Sequence, residues 1–261
     1  MKYDLSVILP GIRVDRWNDL YKSFKESFHG KGEMIIVSPY DLPENLRNEK
    51  DIKLVHSFRS PSACYQIAHE ASSGKWISWS ADDCTYLPNS LDNAFEIIKN
   101  NNFDPKTIVT AKYLEGEASI RNPKESNMSG RSYYHLTFHD DLKNLNLFPD
   151  DYMMLNASLI PSKLLKDFGG IDCKFEASLC NIDVAIRIQN DGLKFIFLDE
   201  VLYTCGHFPG CEGDHGPIYH VTVEHDYPLF KQIYCDKKSL ERTKIPFEVT
   251  GEEVWRRRFK G

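Results

Sequence analysis

A chain of 261 residues, 41% hydrophobic and 27% charged, has material for one large core or two small ones. Its formal net charge of −6 argues against a nucleic-acid partner, which needs a basic surface to displace counterions. No apolar run is long enough to span a bilayer, and no apolar signal segment follows the Met-Lys-Tyr-Asp start. The seven cysteines are scattered, without a Cys-x-x-Cys, which fits reduced thiols and leads to the expectation of a cytoplasmic protein.

The first half alternates strand and helix patterns. Leu5–Leu9 reads as a strand stopped by Pro10-Gly11. Asp15 can cap the next helix, whose Trp17, Leu20, Tyr21, Phe24 and Phe28 fall on one face. Met34–Val37 is a second strand, followed by Ser38-Pro39-Tyr40-Asp41, and Ile52–His56 is a third. Ser60-Pro61-Ser62 opens a helix with Ala63, Ile67, Ala68 and Ala71 inward, and Gly74 stands where a C-cap would. Trp76–Ser80 is a fourth strand running into Ala81-Asp82-Asp83, and Pro88 starts the next helix. This order implies an α/β fold with a largely parallel sheet covered by helices. Ligands in such sheets sit beyond the carboxyl ends of the strands, where Asp41 and Asp82-Asp83 both fall.

The second half is less regular. Ile108–Leu114 reads as a strand, and Glu115 to about Asp140 as a polar, loop-rich insertion. Met153–Ile160 is apolar. Pro161 and Ser162 open a short helix ending at Phe168-Gly169-Gly170. Asp183–Asn190 is a helix, Phe195–Leu198 a strand, and Gly251–Lys260 an amphipathic, Arg-rich tail.

Adjacent carboxylates at a strand end can hold Mg²⁺ or Mn²⁺, serve as general acid or base, or form a solvated turn. Trp76–Ser80 is apolar enough to be a central strand. Two close like charges at its end either raise each other's energy or bind a cation.

Gly74-Lys75-Trp76-Ile77-Ser78-Trp79-Ser80-Ala81-Asp82-Asp83, with Pro88 beyond, resembles the Asp-x-Asp segment of family-two glycosyltransferases of the GT-A fold. Leu5–Pro10 resembles their opening strand, Ser60–Gly74 the segment before the metal motif, and Phe168-Gly169-Gly170-Ile171-Asp172 their late Gly-Gly-Phe-Asp motif. The four matches run in order over residues 4 to 205. The resemblance implies a single GT-A domain, a Rossmann-like, mainly parallel mixed sheet. Residues 1–110 would be its nucleotide-binding half and 111–261 its acceptor half and tail.

The activity so implied is inverting transfer of a sugar from a nucleotide-diphospho-sugar, a UDP-sugar foremost, to a glycan or lipid-linked acceptor in surface polysaccharide assembly. The resemblance assigns nucleobase and ribose to Pro10, Gly11 and Arg13, with Asp41 the candidate acid after the second strand. Arg59 and Ser62 would contact the nucleotide, and an Arg fork suits a diphosphate. Asp83 and Asp82 would hold Mn²⁺ or Mg²⁺, one ligating and the other reaching ribose or a bridging water; Ser80 replaces the usual first acid. The family's base segment reads Cys180-Asn181-Ile182-Asp183-Val184-Ala185-Ile186-Arg187, with neutral Asn181 at the base position. Asp183 is the named candidate base, with Asp172 and Glu176 as alternatives and a helix first-turn acid as the ordinary reading of Asp183.

Cys205, His207, Cys211 and His215 have four possible zinc ligands but not the usual paired spacing. His207 or His215 would instead reach the metal or diphosphate from a closing loop that Pro217 suits. Arg256-Arg257-Arg258 allows a peripheral contact with anionic lipid, or is a solvated helix face. Two other functions stay open: an inactive GT-A domain that binds nucleotide-sugar or glycan, and a nucleotidylyltransferase. The latter wants a Gly-rich, Lys-bearing loop that Pro10-Gly11-Ile12-Arg13 does not supply.

Overall fold

The computed structural model describes residues 2–115, 155–206, 216–236 and 242–247. The insertion from 116 to 154, His207, the rest of the late loop to His215 and the Arg-rich tail lie outside them.

The chain begins with β1 (Tyr3–Pro10), α1 (Trp17–Ser27), β2 (Gly32–Ser38), β3 (Ile52–His56), α2 (Pro61–Ala71) and β4 (Gly74–Trp79). It continues with β5 (Cys84–Tyr86), α3 (Ser90–Asn100), β6 (Thr107–Glu115), β7 (Ser158–Pro161), α4 (Ser162–Asp167), α5 (Leu179–Asn190) and β8 (Lys194–Cys205). Then α6 (Gly216–Val221) passes through a π turn at Thr222–Asp226 into α7 (Tyr227–Lys231).

One eight-stranded sheet has the order β3-β2-β1-β4-β7-β6-β8-β5. The strands β3, β2, β1 and β4 are parallel. β7 enters antiparallel to both β4 and β6; β8 is parallel to β6, and β5 is antiparallel to β8. This is the expected mixed, mainly parallel α/β sheet. Its central strands are apolar on both faces because helices cover both. Leu5, Val7 and Leu9 pack with Trp17, Leu20 and Phe24 of α1 and Leu91 and Phe95 of α3. Ile8, Ile35 and Val37 point the other way onto Ile67, Ala68 and Ala71 of α2. A further cluster joins Trp79, Ile108 and Ile160 to α4 and α5.

β4 and β5 are four strand spacings apart, about 19 Å in a flat sheet. The link between them contains a tight turn, in which Cys84 N–H bonds Ala81 O at 3.2 Å. Two extended residues plus such a turn reach only about 14 Å. The sheet therefore curls, and the link that ties it carries Asp82 and Asp83.

Several expectations are corrected. Asp15 does not cap α1, which follows a 3₁₀ turn at Val14–Arg16 without a side-chain cap. Ser60 does cap α2, accepting from Ala63 N–H. Gly74 is not a helix C-cap but the first residue of β4. A Cβ there would come within 2.6 Å of the Ser6 backbone nitrogen, so glycine is required by close strand approach. α3 starts at Ser90, after Asn89 in the left-handed region, rather than at Pro88. α5 begins four residues before Asp183, and β8 runs on to Cys205. Pro217 lies in the first turn of a helix, where its missing N–H costs nothing, and not in a loop.

Candidate functional site

The loops after β1, β2, β3 and β4 meet at the carboxyl edge of the sheet. Gly11 N–H bonds Val37 O at 3.0 Å and Ser57 N–H bonds Ser38 O at 3.0 Å, so hydrogen bonds tie the β1 loop to the end of β2 and the start of the β3 loop to Ser38 at that same end. Gly11, which follows Pro10 at the end of β1, is closely packed: a Cβ would stand 3.0 Å from Trp17 Nε1 and 3.1 Å from Ile36 Cγ2.

Asp82 is almost fully buried. Its Oδ2 accepts from the backbone N–H of Ile12 at 2.6 Å and of Arg13 at 2.7 Å. Its Oδ1 accepts from the Arg13 guanidinium. Arg13 supplies the positive charge for Asp82, and both oxygens of Asp82 are engaged within the protein. Asp83 is the partly exposed member, and its backbone carbonyl accepts from Gly206 N–H at 3.1 Å. Its carboxylate lies beside the sulfurs of Cys84 and Cys205.

Asp41 is 83% exposed and meets His56 Nε2 at 3.1 Å, linking the β2 loop to the end of β3. Three exposed apolar side chains rim the same edge: Ile12 at 53%, Tyr40 at 52% and Phe58 at 90%. Phe58 escaped notice in the sequence; its signal is an aromatic residue directly past a strand end. Arg59 beside it is exposed, with its N–H held by Ser57 Oγ at 3.2 Å. Ser62 is fully buried, and its hydroxyl donates to Ala177 O at 3.3 Å. In the first turn of α2, after Pro61, it ties that helix to the residues just before α5.

Asp183 is fully buried. Its Oδ2 accepts from Arg187 Nε at 2.8 Å, and its Oδ1 from the Tyr234 hydroxyl at 2.5 Å. Arg242 Nε stands 3.3 Å from Oδ1. Burial, and then the Asp183 charge, push the Tyr234 phenol far above its usual range, so it stays a donor. Burial works against the Arg242 charge, but Asp183 and Asp172 outweigh it and raise its pKa. Arg187 also donates to the carbonyls of Phe168 and Gly170, locking the Gly-Gly turn onto α5. Asp183, the candidate base, is therefore a hub of the fold, with both carboxylate oxygens engaged by Arg187 and Tyr234. Asp172 is buried against Arg242. Asn181 donates to Asn156 Oδ1, while its own carbonyl oxygen is buried without a partner among the described residues. Glu176 remains half exposed, with His225 Nε2 3.8 Å away.

Asp226 was not foreseen. Fully buried, it accepts from the N–H groups of Glu176 at 2.8 Å, Ala177 at 2.9 Å and Ser178 at 3.0 Å. A carboxylate here satisfies the orphan donors and positive dipole end of α5. It also fixes the backbone that carries Glu176. His207 lies outside the described residues.

No family model matches the sequence, and no curated protein matches it. Solved structures do. Residues 1–349 of S. aureus TarS in complex with UDP-GlcNAc superpose with a TM-score of 0.60 at 16% identity, covering 91% of this chain and 72% of that one. The same protein with UDP gives 0.57 at 16% identity, covering 79% of this chain and 61% of that one. Against a longer TarS structure the TM-score is 0.59 at 14% identity, and the match covers 37% of that chain. The curled mixed sheet, the flanking helices and these superpositions establish that the chain has the GT-A fold.

Proposed function

We propose that this chain is an inverting glycosyltransferase that takes a sugar from a nucleotide-diphosphate donor, a UDP-sugar, and passes it to a hydroxyl of a glycan or lipid-linked acceptor in surface polysaccharide assembly. The observation that carries this reading is the partly exposed Asp83 at the carboxyl end of β4, in the fold of a protein solved with UDP and UDP-GlcNAc. Tyr40, Phe58 and Ile12 offer apolar faces for a base, and Asp41 and Arg59 offer polar contacts beside them. Among the described residues no helix is long and apolar enough to cross a membrane.

Asp83 would hold Mn²⁺ or Mg²⁺. One carboxylate fits, since such ions shared with a diphosphate keep several waters and need only one or two protein oxygens. When bound, the cation neutralises charge on the departing diphosphate. Asp82 keeps the β1 loop in place beneath the nucleotide. Glu176, the exposed acid between the Gly-Gly turn and α5, takes the proton from the acceptor hydroxyl.

The test is a thermal-shift screen of UDP- and GDP-sugars with and without Mn²⁺ or Mg²⁺, followed by hydrolysis and transfer assays. Stabilisation by a nucleotide sugar that grows with the cation, with donor turnover, supports the proposal. A second reading, a binding module without turnover, is favoured by Asn181 at the base position and by the full engagement of Asp183. Donor binding with no turnover for any acceptor selects that reading and rejects the first.

A further inference from the structure

Cys84 opens β5 and stands opposite Cys205, the last residue of β8. The hydrogen bonds around them fix the kind of pairing. Gly206 N–H donates to Asp83 O at 3.1 Å, and Leu87 N–H donates to Leu202 O at 2.9 Å. In an antiparallel ladder, hydrogen-bonded and non-hydrogen-bonded pairs alternate. Asp83–Gly206 and Leu87–Leu202 are bonded pairs four residues apart. Cys84–Cys205 therefore falls on a non-bonded position, where Cα atoms approach to about 4.5 Å and side chains come closest. The two sulfurs are 3.0 Å apart. The Asp83 carboxylate completes the group: its oxygen and the two sulfurs all lie within 4.8 Å of one another. Among the described residues it is the one group of three or more His, Cys, Asp or Glu side chains close enough to share an ion.

We infer that Asp83, Cys84 and Cys205 form a binding site for a thiophilic divalent cation of the Zn²⁺ class, separate in chemistry from a magnesium or manganese site. Thiolates select zinc-like ions, whereas Mg²⁺ and Mn²⁺ prefer oxygen. Two sulfurs and one carboxylate form a three-ligand set with an open fourth position. Tetrahedral bonds of about 2.3 Å to sulfur place two thiolates about 3.8 Å apart, so the pair needs to part by less than about 1 Å. Binding displaces one proton from each thiol to solvent. The Arg16 guanidinium is close by, within 3.3 Å of where a Gly206 Cβ would sit, and it offsets the surplus negative charge of three anionic ligands. Asp83 belongs to both cation sets. Only the corollary that a thiophilic ion competes with nucleotide and Mn²⁺ rests on the function proposed above.

The test is a Co²⁺ titration of the full chain, kept reduced and free of nucleotide. Cobalt bound by thiolate absorbs through sulfur-to-metal charge transfer in the near ultraviolet, a signature that a merely structural cysteine pair does not produce. The expected result is one Co²⁺ per chain with that band, displaced by an equivalent of Zn²⁺. Cys205→Ser should roughly halve the band and weaken binding at least tenfold. Asp83→Asn should keep the band but weaken binding. Absence of the band, or an undiminished band in the Cys84→Ser/Cys205→Ser double variant, overturns the inference. Because Cys84 is buried, the partly exposed Cys205 variant alone suffices if the double variant unfolds. UDP binding with Mn²⁺ is measured on the same samples. If the parent chain shows the cobalt band but binds no UDP with Mn²⁺, the proposed function fails and this site stands.

Discussion

Arg13 and Asp82 hold each other across 69 residues of sequence, the guanidinium on one carboxylate oxygen and the Arg13 and Ile12 N–H groups on the other. The acidic pair at the end of β4 thereby divides its work. Asp82→Asn should remove the nearly buried charge that faces the Arg13 guanidinium, costing roughly 3 kcal/mol of stability. Asp83→Asn should cost clearly less stability than Asp82→Asn, yet abolish the cation-dependent part of nucleotide binding. Denaturant unfolding and UDP titration with and without Mn²⁺ check both. Equal loss of stability in the two variants would refute the division.

Asp183 and Glu176 should separate in the same way. Asp183→Asn leaves Arg187 with an uncompensated buried charge while Arg242 keeps Asp172, and a loss of about 3–5 kcal/mol is expected. Glu176→Gln should keep the melting temperature within a degree or two while donor turnover falls by about 10²–10⁴-fold, the usual contribution of a general base. Retained turnover in Glu176→Gln would remove it from the mechanism.

His69 gives a pH dependence. Burial pulls its pKa from 6.5 down to about 4, and Lys166 adds to the effect. Its Nε2 faces the Ser162 carbonyl at 3.2 Å, and Nδ1 has no partner among the described residues. The folded pKa is depressed, so the unfolded chain takes the proton first. Stability is complete above pH 6.5 and is lost as pH falls toward 4, by up to about 3 kcal/mol. His69→Gln should flatten the fall in unfolding free energy across that window. An unchanged slope would show that other groups carry it.

Gly169 has φ +91°, and a Cβ there would come within 2.1 Å of the Ile245 carbonyl oxygen. Ile245 N–H in turn bonds Phe168 O at 3.2 Å. Gly169→Ala should cost at least about 1–3 kcal/mol of backbone strain and expel residues 242–247 from the Gly-Gly turn. Limited proteolysis should then cut near Lys244 faster than in the parent chain.

Much of the first half of the chain was legible in the sequence. Leu5–Leu9, Met34–Val37 and Trp76–Ser80 are apolar runs with little competing pattern, and helices α1 and α2 show their buried faces at helical spacing. What escaped is contact between distant residues. Three-residue β5 has no pattern of its own and exists only because β8 lies opposite. Asp226 reads as a helical acid; its role appears only when the chain from α6 onward folds back on the start of α5. The same holds for Asp82: its neighbour in sequence is Asp83, but its partner is Arg13. The motif resemblance located the edge of the sheet, but nothing in it told that Asp183 and Ser62 are fully buried and bonded within the protein.

The curl of the sheet bears on the order in which the protein can assemble. Strands β1 to β4 and helices α1 and α2 need only residues 3–79, so they can form while the rest is still being synthesised. The acidic link stays loose at its far end until β8, which reaches Cys205, is available to hold β5. Closing that contact spans 121 residues between Cys84 and Cys205, a slow step for any chain. A nascent or truncated protein ending before β8 would own an almost complete parallel part of the sheet but an untethered Asp83, so ligand competence should arrive late and all at once.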